Sequence, residues 1–226
     1  SAMERHVPLY TSDFSYTIRE PRQEVSHNLL KVNGHISGRP GEFRFQYGFQ
    51  NNIRKEFDLR IGDLSKIPAI DLQLNTHSID TEWETHHSES RTLSFGLNAV
   101  YQSNQNIPGT QRIPFIPNFD NLTGGVFATS KFFFSNWTVD AGVRYDYRQY
   151  SVKGFDLKNS FYSTSFHFNN VSASLGITRK ADKSQTVSLN VSTAWRPPHV
   201  SELYSAGTHQ SAGAIEYGLM LDPLTN

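Results

Sequence analysis

The sequence predicts an all-β fold, in which the strands form an antiparallel up-and-down meander of the kind that builds a transmembrane β-barrel. Three observations predict this fold. Apolar and polar residues alternate with a period of two, the alternating segments are long, and the links between them are short and long in turn. We predict no helix anywhere in the chain.

The alternation is clearest in the segment WTVDAGVRYDYRQY, which begins at residue 137. Its odd positions are apolar or aromatic up to residue 147, whereas its even positions include Asp140, Arg144, Asp146 and Arg148. Successive side chains of a strand point to opposite faces, so one face is apolar and the other is charged. Similar segments predict strands at about 27–37, 42–54, 69–83, 91–103, 121–134, 137–150, 168–180 and 185–196.

The links between these strands alternate in length. Short links are predicted at 38–41, 84–90, 135–136 and 181–184, and long links at 55–68, 104–120 and 151–167. Consecutive links of a meander lie at opposite ends of the sheet, so the short turns share one end and the long loops share the other. Transmembrane β-barrels have this arrangement, with short periplasmic turns and longer extracellular loops.

Strand length agrees with a membrane-spanning sheet. The predicted strands have about 11 to 15 residues, whereas a tilted transmembrane strand needs about 9 to 11 and strands of soluble proteins have about 5 or 6. Aromatic side chains near strand ends suit the girdles at the two membrane interfaces. These residues are Tyr101, Trp137, Tyr147, Tyr150 and Trp195.

A soluble β-sandwich that binds carbohydrate or another surface ligand through its long loops is the alternative. The two folds differ in where the apolar rows point. In a barrel, Val139, Val143, Leu189 and Val191 face lipid, whereas in a sandwich they pack against a second sheet.

Composition excludes several other classes of protein. The chain of 226 residues has 21 basic and 21 acidic residues, so no net charge attracts it to nucleic acid, and we predict no nucleic-acid partner. It has no cysteine, which excludes disulfides and thiol chemistry. Residues 1–3, Ser-Ala-Met, are interpreted as an expression scar.

The stretch TAWRPPHVSELYSAGTH, residues 193–209, connects the strands to a family. It resembles the strand end and following loop of TonB-dependent outer-membrane receptors: an aromatic-Arg-Xaa-Pro group, then Glu-Leu-Tyr, then a Gly and a His. Segments 55–76, 136–148 and 168–180 resemble barrel strands of the same family, and 103–120 resembles one of its extracellular loops. Because proline cannot donate to a strand ladder, Pro197 and Pro198 should end the pairing, and we expect the strand to stop at Trp195.

The resemblance implies a cellular location, binding partners and a larger barrel of which this chain is one part. It implies the outer membrane of a Gram-negative bacterium, contact with lipid, and energy-coupled uptake of an iron chelate, haem or another scarce nutrient. Family members have a plug inside a barrel of 22 strands, and TonB acts through the plug region. We find no plug here and interpret residues 4–226 as part of such a barrel. A closed eight-stranded barrel is the competing geometry. Open edges and an apolar face would let such a piece self-associate.

Candidate ligand-binding residues lie in the predicted loop 197–212: His199, Glu202, Tyr204 and His209. In haem-uptake receptors of the family a loop histidine can ligate iron, so the resemblance makes His209 a candidate axial ligand, although one histidine does not distinguish haem from zinc or a siderophore. No grouping of residues indicates catalysis, and we predict no enzymatic activity, catalytic residue or cofactor.

Two further sets of polar residues allow alternative interpretations. His86 and His87, between Glu84 and Glu89, have side chains that could bind a metal ion. The sequence favours a polar turn there, and we predict no metal site. Asp140, Arg144, Asp146 and Arg148 could line a substrate path, but mutual pairing across a wet wall is the favoured interpretation.

Overall fold

The computed structural model describes residues 16, 18, 20–59, 62–156, 158–182, 184–209 and 214–221. Eight strands follow one another in a single antiparallel sheet, so the predicted meander is confirmed. They are β1 (Arg22–Gly38), β2 (Gly41–Phe57), β3 (Ile70–Ser88), β4 (Arg91–Asn106), β5 (Asn118–Phe134), β6 (Trp137–Phe155), β7 (Phe161–Lys180) and β8 (Thr186–Ser192).

The short links are confirmed as tight connections at one end of the sheet, but the link predicted at 84–90 is shorter than predicted, because β3 continues to Ser88. They occupy residues 39–40, 89–90, 135–136 and 181–185. At the other end, the loops 58–69 and 107–117 are long, as predicted. The predicted long link 151–167 is wrong, because β6 continues to Phe155 and β7 begins at Phe161.

Two further expectations about elements are wrong. The last strand of the sheet ends at Ser192, not at Trp195, although Thr193 still donates its amide to the carbonyl of Ala173. The described residues contain two helices, a 3-10 helix at Gly62–Lys66 and a helix α1 at Val200–Tyr204. Among the described residues, neither these nor any other helix has the length and apolar character to cross a bilayer.

The two faces of the sheet differ as the alternation predicted. On the outer face, Val143, Leu189 and Val191 are 51%, 66% and 65% exposed. On the opposite, inner face, Arg144 contacts Asp146 at 2.6 Å and donates to Asn98 at 2.7 Å. A sandwich would bury the outer rows against a second sheet, so this alternative is not favoured.

The apolar outer face ends near the long-loop end, where one register row is polar throughout. Seven consecutive strands place a polar residue there, in a row that we call the polar row. Its members are Asn28, Asn51, Asn75, Ser103, Asp120, Ser151 and Ser165. Side chains in contact with hydrocarbon are apolar, so the polar row marks the outer limit of the lipid-facing surface.

Around this row the apolar side of β6 and β7 changes over to the inner face. In β6, Tyr150 and Val152 point inward and are fully buried. In β7, Tyr162, Phe166 and Phe168 occupy the inner face, and all three pack against the buried core. Tyr150 therefore does not belong to the outer aromatic girdle, which corrects the prediction from its position near a strand end.

The sheet is open in the described part of the chain. β1 pairs only with β2, and β8 only with β7. A closed eight-stranded barrel would require β1 and β8 to pair, and these two strands are instead the edges of the sheet.

Candidate functional site

After β8 the chain turns back over the inner face at the long-loop end. We call residues 193–209 and 214–221 the return segment; it contains α1 and a small hairpin of β9 (Ala206–His209) and β10 (Ala214–Tyr217). One buried core joins it to β5 and β6. The members of this core are Phe119, Tyr150, Val152, Val200, Leu203 and Tyr204.

His199 and Glu202 form the start of α1. The backbone amide of Ser201 donates to Nδ1 of His199 at 3.3 Å, and Glu202 accepts from the backbone amide of His199 at 2.7 Å. This is a capping box, which satisfies amides that a helix start leaves without partners. Arg196 donates to both carboxylate oxygens of Glu202, at 2.9 and 3.2 Å.

These contacts set the charges around α1. Hydrogen bonds from Arg196 and from the His199 amide lower the pKa of Glu202, so this carboxylate stays ionised at neutral pH. The pKa of His199 is lowered as well, first by desolvation of its ring, which meets Phe119 edge-on at 5.8 Å although the residue as a whole is exposed, and then by the charge of Arg148. His199 is therefore neutral at pH 7, with Nδ1 as an acceptor.

Tyr204 fixes α1 to the wall of the sheet. Its ring stacks on Tyr162 and Phe166 at centroid distances of 5.6 and 5.9 Å, and it is only 7% exposed. Backbone hydrogen bonds hold the rest of the return segment: the amide of Ala206 donates to the carbonyl of Phe115, and that of Gly218 donates to Ser205. The return segment is thus attached both to the sheet and to the loop 107–117.

The structure brings three of the four predicted site residues together. His199, Glu202 and Tyr204 belong to one helical turn, where each makes structural contacts. His209 ends β9, opposite Ala214, and its side chain lies outside the described residues. The side chains of His86 and His87 also lie outside the described residues. Within the described residues, no group of three acidic or histidine side chains could hold a metal ion.

An open groove lies between α1 and β10, with a volume of about 420 Å³. Its walls are polar with two aromatic rings, so it offers hydrogen-bond partners and stacking surfaces to a ligand. The lining residues are Phe115, Ser201, Glu202, Ser205, Glu216 and Tyr217.

A row of hydrogen-bonded side chains crosses the inner face below the return segment. In order across the wall it contains Thr76, Gln102, Asn121, Thr123, Arg148 and Tyr150, and the Tyr150 hydroxyl reaches the carbonyl of Pro198 at 3.4 Å. We call it the inner polar chain. Sequence reasoning missed this connection between wall and loop, because its members come from four strands and no local pattern relates them.

The fold and this site define the class: a β-barrel wall with long loops that fold against its inner face. The family model "TonB dependent receptor-like, beta-barrel" matches residues 8–226, so the chain belongs to this family. Its members are receptors of the Gram-negative outer membrane, which agrees with the prediction of no enzymatic activity. A search among curated proteins gave no match.

Solved structures agree in fold. The FrpB iron transporter of Neisseria meningitidis (F5-1 variant, apoprotein) is similar with a TM-score of 0.62 and 14% identity, over 80% of this chain and 32% of that one. Its F3-3 variant is similar with a TM-score of 0.63 and 13% identity, over 83% of this chain and 31% of that one. The ferric yersiniabactin uptake receptor FyuA of Yersinia pestis is similar with a TM-score of 0.52 and 11% identity, over 74% of this chain and 27% of that one. The chain thus spans about a third of the length of the FrpB transporters.

Proposed function

We propose that residues 4–226 are part of the barrel of an outer-membrane receptor that takes up an iron chelate, haem or a similar scarce nutrient. The ligand binds among the long loops and passes along the inner wall when TonB acts through the plug region. The observation that carries this proposal is the return segment, which connects the long-loop end to the polar inner face through the core around Tyr204. The related iron transporter and ferric chelate receptor support the ligand class.

Loop deletions in the full-length receptor test where the ligand binds. Removing residues 108–113, or residues 200–217, should abolish uptake and spare barrel assembly, because these residues lie outside the eight strands of the sheet. Shortening the 181–185 turn is the matched control and should leave uptake intact. Uptake that survives both loop deletions would contradict the proposal.

Binding assays identify the ligand. Haem, ferric chelates and zinc should be compared in parallel on the full-length receptor, with His209→Ala beside the parent. We expect an iron chelate or haem to bind. If haem binds and His209→Ala binds it as tightly as the parent, His209 is not the axial ligand.

A further inference from the structure

The arginines of the inner face differ in how their charge is balanced. Strand register places Arg44, Arg54, Arg144 and Arg148 on this face. Three of them have carboxylate partners: Arg44 contacts Glu42 and Glu82, both at 3.2 Å, Arg54 contacts Glu56, and Arg144 contacts Asp146. Among the described residues, no carboxylate lies within ion-pair distance of Arg148.

Arg148 is held by neutral groups alone. Its Nε donates to Oγ1 of Thr123 at 2.9 Å, and a terminal nitrogen donates to the Tyr150 hydroxyl at 3.2 Å. A guanidinium has five N–H donors, so the remaining donors have no acceptor in the described part of the chain. The side chain is half-buried, and a half-buried charge without a counter-charge is unfavourable.

The surroundings of Arg148 fix its position at the mouth of the interior. It belongs to the inner polar chain, whose last member, Tyr150, contacts the return segment at Pro198. Thr123 is held in turn by Asn121, and Asn121 by Gln102. The guanidinium is therefore oriented by its neighbours before any ligand arrives, which reduces the cost of binding one.

We propose that Arg148 binds a carboxylate group of the ligand as it passes from the loops to the inner wall. A guanidinium matches a carboxylate through two parallel hydrogen bonds, and the pair gains strength where water is partly excluded. A haem propionate and a ferric carboxylate chelate both supply this group. This inference rests on the proposed function and narrows it to anionic ligands.

The test measures Kd of the full-length receptor in detergent for haemin, ferric citrate and ferrioxamine B, of which the last has no carboxylate. Arg148→Gln should weaken binding of the carboxylate ligand by about tenfold or more, and Arg148→Lys should weaken it less. The control is Lys31→Gln, which removes a cation from the same register row at β1 and should change nothing. The heat-modifiable migration of each variant shows that its barrel has folded.

The outcomes separate the inference from the proposed function. Unchanged affinity of Arg148→Gln, or an equal loss in Lys31→Gln, overturns the inference. Binding of ferrioxamine B alone also overturns it but leaves the proposed function standing. If the parent receptor binds none of the three compounds, both fail.

Discussion

At the scale of single residues, the inner wall depends on side chains that fit around a glycine. A Cβ atom at Gly125 would overlap the Arg144 guanidinium and would lie 2.7 Å from oxygens of Asn98 and Asp146. The neighbouring Gly124 belongs to the outer face, where an added Cβ would have no atom within 4 Å. These two adjacent glycines therefore offer a matched pair for testing the two faces.

We predict that Gly125→Val destabilises the barrel by about 1–3 kcal/mol, because it displaces Arg144 from Asp146. Gly124→Val should be close to neutral, since valine favours strands and the outer face is open. Urea unfolding of the folded receptor in detergent measures both. Equal effects of the two substitutions would contradict the assignment of faces.

The lipid-facing role of the outer face gives a second prediction. Val143→Arg places a charge near the centre of the apolar band and should cost about 2–4 kcal/mol in a bilayer. Ser174→Arg should have only a mild effect on stability, because Ser174 follows Ala173, the register partner of Val143, and lies on the inner face. The measurement is reversible folding into lipid vesicles, and a similar cost for both would disprove the orientation.

At the scale of elements, the sequence predicted the strands that lie in the membrane better than their outer ends. Between hydrocarbon and a wet interior, apolar and polar residues alternate cleanly, as in 137–147. Around the polar row the return segment supplies an apolar surface inside, so the pattern reverses there, as Tyr150 and Tyr162 show. That reversal interrupts the periodicity, which is why β6 and β7 were predicted too short and their turn too long.

Part of the candidate site was predictable from local spacing along the chain. The sequence order Arg196, His199, Glu202, Tyr204 indicated a special loop, and their grouping in one turn follows from local spacing. The aromatic platform of Tyr162 and Phe166 was not predictable, because both residues lie in the first part of β7, which the sequence analysis assigned to the link 151–167.

The capping of α1 predicts a pH dependence of the return segment. The pKa of His199 is lowered from 6.5 in the folded state, so its stabilising contribution is complete above pH 6.5 and is lost as the pH falls through the lowered value. Protonation also removes Nδ1 as the acceptor for the Ser201 amide. Amide exchange at 200–205, corrected for intrinsic rates, should therefore accelerate as the pH falls below 6.5.

The substitution His199→Asn tests this explanation. Asparagine caps helices well and does not titrate, so the step below pH 6.5 should disappear while α1 remains. Glu202 also has a lowered pKa, but its contribution is lost only below pH 4.5, which keeps the two effects apart. An unchanged step in the variant would assign the pH dependence to another group.

At the scale of the whole molecule, the open sheet leaves two edges and an apolar outer face. Among the described residues, strand β1 presents an edge of 17 residues, and Leu189 and Val191 on the outer face of β8 are exposed. Water solvates such a surface poorly, and an open edge can pair with another chain. We predict that residues 4–226 alone self-associate in detergent-free buffer or retain detergent. Light scattering checks this, and a monodisperse, detergent-free monomer would refute it.

The polar row also decides what an antibody can reach on an intact cell. In β2 the strand continues from Asn51 to Phe57 beyond this row, a rise of about 20 Å at the spacing of extended chain. With this protein in the outer membrane, a rim of strand ends stands above the lipid, together with the 3-10 helix Gly62–Lys66 and the turn 156–160. An antibody added to intact cells could therefore reach exposed residues of that rim such as Leu64 and Lys158, whereas Arg148 on the inner wall would be out of its reach.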